Sequence, residues 1–327
     1  MFKLVCGAGN EDAESVKRLV YVYALSGCKL FDLSARKEIL AAAKEGVKLA
    51  KADNVEYCVS IGIKGDKHIA KAKINQSKCI KCGNCFRNCP NDAISFQTLS
   101  LTREGEVASE NVSYTDSGKG LIIDKKKCIG CGVCNQKCPS GAISMEERDV
   151  NYKDILPFMV QNGVEYIELH IMGHDKNDLA DKWKVINECN PKFASICIDR
   201  ENFGNKEVLA RIKSMISVRK PYTTIIQADG VPMSGGSDDY KTTLQAVAMA
   251  EVIQNANLPV YIMLSGGTNS HTAELAKICG INYWGIAIGS WARKIVKPYV
   301  TRDDFWENDE VREQAVRIAK NLIASCK

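Results

Sequence analysis

Three observations predict the fold class. Strand and helix alternate eight times, a doubled cysteine motif interrupts the alternation once, and roughly 250 residues remain when that interruption is removed. Together they predict an α/β protein: a TIM-type (β/α)8 barrel with a bacterial-type 2[4Fe–4S] ferredoxin domain inserted after its third strand. In the 327-residue chain the expected divisions are 1–73 for the first part of the barrel, 74–148 for the insertion and 149–327 for the second part. An open doubly wound sheet is the alternative. Eight strands and the glycine-rich ends of the last two favour closure.

Residues 2–6 form an apolar run closed by Gly7-Ala8-Gly9-Asn10, which reads as a strand and a turn. Residues 12–25 carry Val16, Leu19, Val20 and Tyr23 at helical spacing. Residues 30–33 are a second strand, after which Ser34 is expected to cap a helix running to 52. Residues 55–63 are the third strand. Beyond the insertion, helices at 152–162, 177–190, 207–218, 240–255 and 270–278 alternate with strands at 164–171, 193–198, 223–227, 260–264 and 283–288. Helices at 290–300 and 308–325 close the chain.

The insertion contains one sentence twice: Cys79-Ile-Lys-Cys82-Gly-Asn-Cys85-Phe-Arg-Asn-Cys89-Pro90 and Cys128-Ile-Gly-Cys131-Gly-Val-Cys134-Asn-Gln-Lys-Cys138-Pro139. Three closely spaced thiolates wrap one corner of an iron–sulfur cube, and the fourth lies too far along its own chain, so it ligates the other cluster. That assigns Cys79, Cys82, Cys85 and Cys138 to the first cluster, and Cys128, Cys131, Cys134 and Cys89 to the second. Structural zinc is the rival, but it usually pairs cysteines far apart rather than packing four into one short run. The stretch between the motifs, including 102–105 and 113–120, is long for a minimal ferredoxin and reads as an added hairpin or loop. Its place in a βα loop puts the clusters, by expectation, at the face where such barrels build active sites.

Fifteen cysteines with no export signal point to reducing cytoplasm, and no apolar run approaches the length of a membrane span. The seven cysteines outside the motifs read mostly as small buried hydrophobes. The net charge is +5. Lys64, Lys67, Lys71, Lys73, Lys78 and Lys81, then Lys119, Lys125, Lys126, Lys127 and Lys137, crowd the cluster region. A solvated face is the plain reading; the functional one is a docking patch for an acidic electron carrier or redox partner protein, or for an anionic substrate. Nucleic-acid binding would want arginines, stacking aromatics or a known module, and none is there.

Strand alternation sorts side chains into helix-facing and lumen-facing sets. The fourth barrel strand turns Glu168 and His170 inward, the fifth Ser195, Cys197 and Asp199, and the sixth Gln227 and Asp229. Asp32, Glu56, Cys58 and Ser60 come from the second and third. One inward polar group is often a satisfied core residue; several at strand ends make a candidate small-molecule site. His170, Asp199, Glu168 and Asp229 are the candidate acid–base or binding groups, with His170 expected to titrate near neutrality.

The seventh strand ends Ser265-Gly266-Gly267-Thr268-Asn269. The eighth ends Gly289-Ser290 before a helix carrying Arg293. Such loops form the usual phosphate site of this fold, so these residues, with Gln227 and Ser234, are the candidates for holding FMN or an anionic substrate. Ordinary tight turns are the bland reading.

Phe2-Lys-Leu-Val-Cys-Gly-Ala, the doubled cluster motif, Ala228-Asp-Gly-Val-Pro-Met-Ser-Gly, Leu264-Ser-Gly-Gly-Thr-Asn and Ile288-Gly-Ser-Trp-Ala-Arg resemble the light-dependent period (LdpA) family over nearly the whole chain. That resemblance implies an iron–sulfur protein, described in cyanobacteria as passing cellular redox state to the circadian clock. Two functions are therefore carried forward. One is an oxidoreductase whose clusters pass electrons to a flavin or anionic substrate at the barrel mouth. The other is a non-catalytic redox sensor that signals to a partner.

Overall fold

The computed structural model describes residues 1–66, 70–98, 119–147, 150–199, 203–230 and 236–327. Two compact units emerge. One comprises Met1–Ala8, Asp12–Asp66 and Val150–Lys327; the other comprises Gly9–Glu11 and Lys67–Asp149. In chain order the strands are β1 (Phe2–Val5), β2 (Leu30–Ser34), β3 (Glu56–Gly62), β4 (Ala70–Ile74), β5 (Ile94–Thr98), β6 (Lys119–Ile123) and β7 (Ile143–Glu147). They continue as β8 (Tyr166–His170), β9 (Phe193–Ile198), β10 (Thr224–Asp229), β11 (Tyr261–Ser265) and β12 (Gly285–Ile288). The helices are α1 (Ala13–Leu25), α2 (Lys37–Leu49), α3 (Asn84–Arg87), α4 (Val133–Gln136), α5 (Tyr152–Gln161) and α6 (Lys176–Cys189). The remainder are α7 (Asn205–Ile216), α8 (Tyr240–Asn255), α9 (Thr272–Ile278), α10 (Ser290–Val300) and α11 (Asp309–Ser325).

The first unit is the expected TIM-type barrel. Eight parallel strands close in the order β1-β12-β11-β10-β9-β8-β3-β2. Leu4, Leu33, Val59, Ile61, Ile167, Leu169, Ile196 and Ile198 point outward and pack in one continuous core under the helices. Each such side chain, fully buried, contributes roughly 1.5–3 kcal/mol. Acidic or amide caps start several helices: Asp12 accepts from Ser15 N, Asp175 from Asn177 N and Asp178 N, and Asp239 from Thr242 N. Ser34 is not the cap of α2. It ends β2, and Arg36 occupies the cap position without a side-chain bond to the helix N-terminus.

The N-terminal end of the lumen is plugged by aromatics. Tyr166 stacks on Phe193 at 5.3 Å, and Tyr261 and Trp284 lie within 6.4 Å of that pair. Glu56, expected among the site residues, sits at this end instead. As the first residue of β3 it accepts from Tyr166 Oη at 2.7 Å and pairs with Lys192, away from the strand ends where a site would form.

The second unit holds two antiparallel ribbons, β4–β7 and β5–β6. The strand Ala70–Ile74 thus belongs with the cysteine motifs rather than with the barrel. The helices α3 and α4 each begin at a glycine in the left-handed region, Gly83 at φ +74° and Gly132 at φ +71°. A side chain there would be strained, which is why the motif places glycine between its second and third cysteines. Most of the stretch joining the two motifs, 99–118, lies outside the described residues.

Candidate functional site

The cysteines assemble as two quartets. Cys79, Cys82, Cys85 and Cys138 line one cavity with Ile74, Leu121 and Ile143. Cys89, Cys128, Cys131 and Cys134 line another with Ala72, Ile94, Ile123 and Met145. Each quartet takes three residues from one motif and its fourth from the other. The linings are otherwise mostly apolar, with Lys81, Asn84 and Ser140 at the first and Asn91 at the second. Several thiols have an amide aimed at them: Ala93 N lies 3.3 Å from Cys89 Sγ, Ala142 N 3.2 Å from Cys138 Sγ and Ala72 N 3.5 Å from Cys128 Sγ. Four convergent soft donors, mostly apolar walls and N–H groups pointed at sulfur fit a [4Fe–4S] cluster in each cavity.

Of the remaining cysteines, Cys6, Cys28, Cys58, Cys197 and Cys326 are buried, while Cys189 is half-buried and Cys279 exposed. Lys71 is not a surface lysine. It is buried within this unit, whereas Lys73, Lys78, Lys81, Lys126, Lys127 and Lys137 are exposed. Lys67 lies outside the described residues, as does the side chain of Lys119.

In the barrel, the inward residues form one buried polar network centred on Glu168. Its Oε2 accepts from Lys3 Nζ at 2.6 Å and Ser195 Oγ at 3.0 Å. Its Oε1 accepts from Gln227 Nε2 at 2.9 Å and faces His170 Nε2 at 3.1 Å. Lys3 also donates to Gln227 Oε1 at 3.0 Å and pairs with Asp32 Oδ2 at 3.3 Å. Ser60 donates to Asp32 Oδ1 at 2.6 Å. Register explains the meeting, since Ser60, Glu168 and Ser195 are aligned across β3, β8 and β9.

Burial alone would strip the charge from these groups, yet the partners decide otherwise. Burial would lower the Lys3 pKa, but Asp32, Cys58 and Glu168 hold it well above the usual lysine range. Burial would raise Glu168, but Lys3 and His170 keep it well below the carboxylate range, so it stays ionised. Asp32 goes up, through burial first, against the pull of Lys3 and with repulsion from Glu168. His170 does not titrate near neutrality as expected. Burial would lower it, but the bond to Glu168 and the charges of Asp66, 4.0 Å away, and Asp32 raise it to about 9. At neutral pH it is a cation that can donate a proton and cannot accept one.

Asp199 and Asp229 are buried at the C-terminal ends of β9 and β10. Cys197 donates its thiol proton to Asp229 Oδ2 at 3.4 Å. Burial, with Asp229 and Glu168 adding to it, pushes that thiol well up, so it is no nucleophile. Glu168, His170 and Cys197 offer metal-ligating atoms within 4.8 Å of one another, as do Asp32, Cys58 and Glu168. In both groups Glu168 already faces a cation, Lys3 or His170.

The two loops expected to hold a phosphate are built largely for themselves. Thr268 donates its hydroxyl to Ala287 O at 2.5 Å. The Asn269 amide donates to Asp239 O at 2.7 Å and Thr242 Oγ1 at 2.8 Å. Both side chains are buried, so neither supplies the donor expected of it. Gly266 and Gly267 have φ of +71° and +75°. A Cβ on Gly266 would meet Asp229 Oδ1 at 1.7 Å, so that glycine lets Asp229 approach the loop. Gly289 caps α10, Ser290 is its first residue, and Arg293 donates to Val5 O at 2.6 Å. Ser234 lies outside the described residues.

The sequence reading missed Lys3 and Asp66. The signal for Lys3 was present: a charged residue between Phe2 and Leu4 in an otherwise apolar strand, on the lumen side by alternation.

A ferredoxin-like unit carrying two cysteine quartets, in one chain with a closed barrel, defines an iron–sulfur redox protein. Sequence comparison agrees: residues 78–142 and 120–177 each match a 4Fe–4S dicluster domain. Residues 158–325, just over half of the chain, match the light dependent period A C-terminal domain, and the chain belongs to that family. It is 28% identical over 347 residues to light dependent period A of Synechococcus elongatus, covering 100% of this chain and 91% of that protein.

Among solved structures, orotidine 5'-phosphate decarboxylase from Pyrococcus horikoshii OT3 aligns with a TM-score of 0.42 and 10% identity over 98% of each chain. The carboxyl transferase domain of Rhizobium etli pyruvate carboxylase, with pyruvate and biocytin, gives 0.44 and 11% identity over 98% of this chain and 48% of that one, so this chain spans about half its length. Among the described residues no helix is long and apolar enough to cross a membrane.

Proposed function

We propose that the chain is an electron-transfer protein in which Cys79, Cys82, Cys85 and Cys138 hold one [4Fe–4S] cluster and Cys128, Cys131, Cys134 and Cys89 the other. The observation that carries this is the crossing of the fourth cysteine between quartets. The clusters pass electrons to an acceptor in the barrel, a flavin such as FMN or an anionic substrate. The exposed lysines of the cluster unit receive an acidic redox partner.

Within the barrel, His170 is the proton donor, being charged at neutral pH and seated at the C-terminal end of β8. Asp199 and Asp229 bind and orient. Glu168 positions, since its pKa lies far from any working pH and its oxygens are committed to Lys3, Ser195 and Gln227. Backbone N–H groups at Gly266, Gly267, Gly289 and Ser290 are the candidate donors for a phosphate, with Arg293, whose guanidinium also holds Val5 O, nearby in sequence.

The test is acid precipitation of anaerobically purified protein with fluorescence of the supernatant, joined to turnover of His170→Gln. Stoichiometric flavin, with turnover lost and iron retained in the variant, is the expected result. Turnover unchanged in His170→Gln would remove that residue from the reaction.

A second reading, a sensor without turnover, is favoured by one observation: the Thr268, Asn269 and Glu168 side chains are all bonded to the barrel itself. Retained iron without flavin, and a ligand that binds without reacting, would select it.

A further inference from the structure

The two halves of the cluster unit are copies offset by 49 residues, Cys79 to Cys128 and Cys89 to Cys138, so each position in one half has a control in the other. The backbone obeys the repeat. Asn75 N donates to Ala142 O at 2.7 Å, and its counterpart Asp124 N donates to Ala93 O at 2.8 Å. The contacts to Cys89 and Cys138 sulfur repeat in the same way.

The charges do not. Lys71 is buried, and its Nζ donates to Cys128 O at 2.6 Å, to Lys125 O at 2.9 Å and to Gly9 O. Its counterpart is Gly120, which has no side chain. Lys125 Nζ donates to Ala72 O at 2.6 Å; its counterpart, Gln76, makes the same contact to Leu121 O at 2.6 Å with a neutral amide. Ala72 lines the cavity of the second quartet and Leu121 that of the first. Two ammonium groups thus stand on the second side where the first has a glycine and an amide. The first side has cations of its own: Lys81, where the second has Gly130, and Arg87, which donates to Cys82 O at 2.8 Å, where the second has Gln136. Both are exposed and screened by water, whereas Lys71 is buried.

Reduction adds a negative charge to a cluster, so a fixed cation beside it favours the reduced form. The three Lys71 hydrogen bonds go to carbonyls, which carry no net charge. Glu11 Oε1, 3.6 Å away, offsets part of the lysine's charge from one side. Burial acts the other way. Ile129 beside the second quartet is 8% exposed, against 64% for its counterpart Ile80, and Cys131 is half-buried where Cys82 is exposed. On burial alone the second cluster would be the harder to reduce.

We infer that Lys71, supported by Lys125, reverses that order: it sets the potential of the cluster held by Cys89, Cys128, Cys131 and Cys134 above that of its mate, so the buried cluster is reduced first. This rests on the two-cluster reading above.

The experiment is an anaerobic potentiometric titration followed by electron paramagnetic resonance, with the two signals assigned by Cys79→Ser and Cys131→Ser. Lys71→Met should cut the reduction equilibrium of the second cluster at least tenfold, ~59 mV for a one-electron couple, and leave the first unmoved. Lys71→Arg, which keeps the charge, should restore the order, and Glu11→Gln should shift the second midpoint upward. Full iron content with unmoved midpoints, or equal shifts in both clusters, overturns the inference. If Lys71→Met fails to hold iron, Glu11→Gln decides: no upward shift overturns it. Iron well below about eight per unsubstituted chain would instead sink the two-cluster reading itself.

Discussion

Lys3→Met removes the cation at the centre of the barrel. Lys3 Nζ lies 2.6 Å from Glu168, 3.3 Å from Asp32 and 3.0 Å from Gln227, all of them buried. Methionine fits the same slot but leaves two carboxylates facing each other in a water-poor lumen. Removing one partner of such a buried pair costs about 3–5 kcal/mol, chiefly through the uncompensated charge left behind.

The deficit carries a pH signature. Glu168 has a folded pKa depressed below its unfolded value, so its contribution is present above roughly 4.5 and is lost as pH falls through the folded value. Lys3→Met should therefore be most damaged near neutrality and converge on the parent protein in acid. Urea unfolding followed by tryptophan fluorescence reads this cleanly, because Trp183, Trp284, Trp291 and Trp306 all belong to the barrel unit. Adding Glu168→Gln to Lys3→Met should recover most of the loss, since the pair is then removed together. A deficit under about 1 kcal/mol, or one that does not change with pH, would refute the idea that Lys3 compensates buried charge.

Other outcomes follow from the same geometry. For His170 the folded pKa of about 9 lies above the ordinary 6.5, so its stabilisation is full below 6.5 and disappears as pH rises through 9. His170→Gln should cost on the order of 3 kcal/mol at pH 6 and little at pH 10, measured by unfolding at both. Gly83→Ala forces a left-handed alanine whose Cβ would lie 2.8 Å from Arg87 Nη1. The strain, about 1–2 kcal/mol, should show as faster loss of iron to a chelator, while Gly204→Ala, with open space around it, should not. Cys138→Ser should disturb the signal of the cluster on Cys79, Cys82 and Cys85, even though it lies in the other motif; an effect confined to the cluster on Cys128, Cys131 and Cys134 would undo the crossed ligation.

The cysteine quartets were legible because spacing along the chain decides which thiols meet. A run of three wraps one site and a fourth beyond the turn reaches the next. The barrel was legible through alternation, which placed Asp32, Ser60, Glu168, His170, Ser195 and Gln227 inward as found. What alternation does not carry is height along the barrel and the bonds each group makes. Glu56 shares the parity of the site but sits at the aromatic floor, and Glu168 is saturated by side chains of β1, β9 and β10, two of which are not its neighbours in the sheet. Thr268 and Asn269 sit in a loop whose glycines resemble a phosphate cradle, but the nearest acceptors are carbonyls of the barrel and of the loop before α8. The protonation of His170 likewise depends on Asp66, a residue separated from it by the whole insertion in sequence.

Anaerobic reductive titration of the unsubstituted protein tests the two-cluster reading most directly. Uptake of about two electrons per chain, with about eight iron and eight sulfide and paramagnetic signals from two interacting centres, is the predicted result. Uptake of none, or zinc in place of iron, would contradict it.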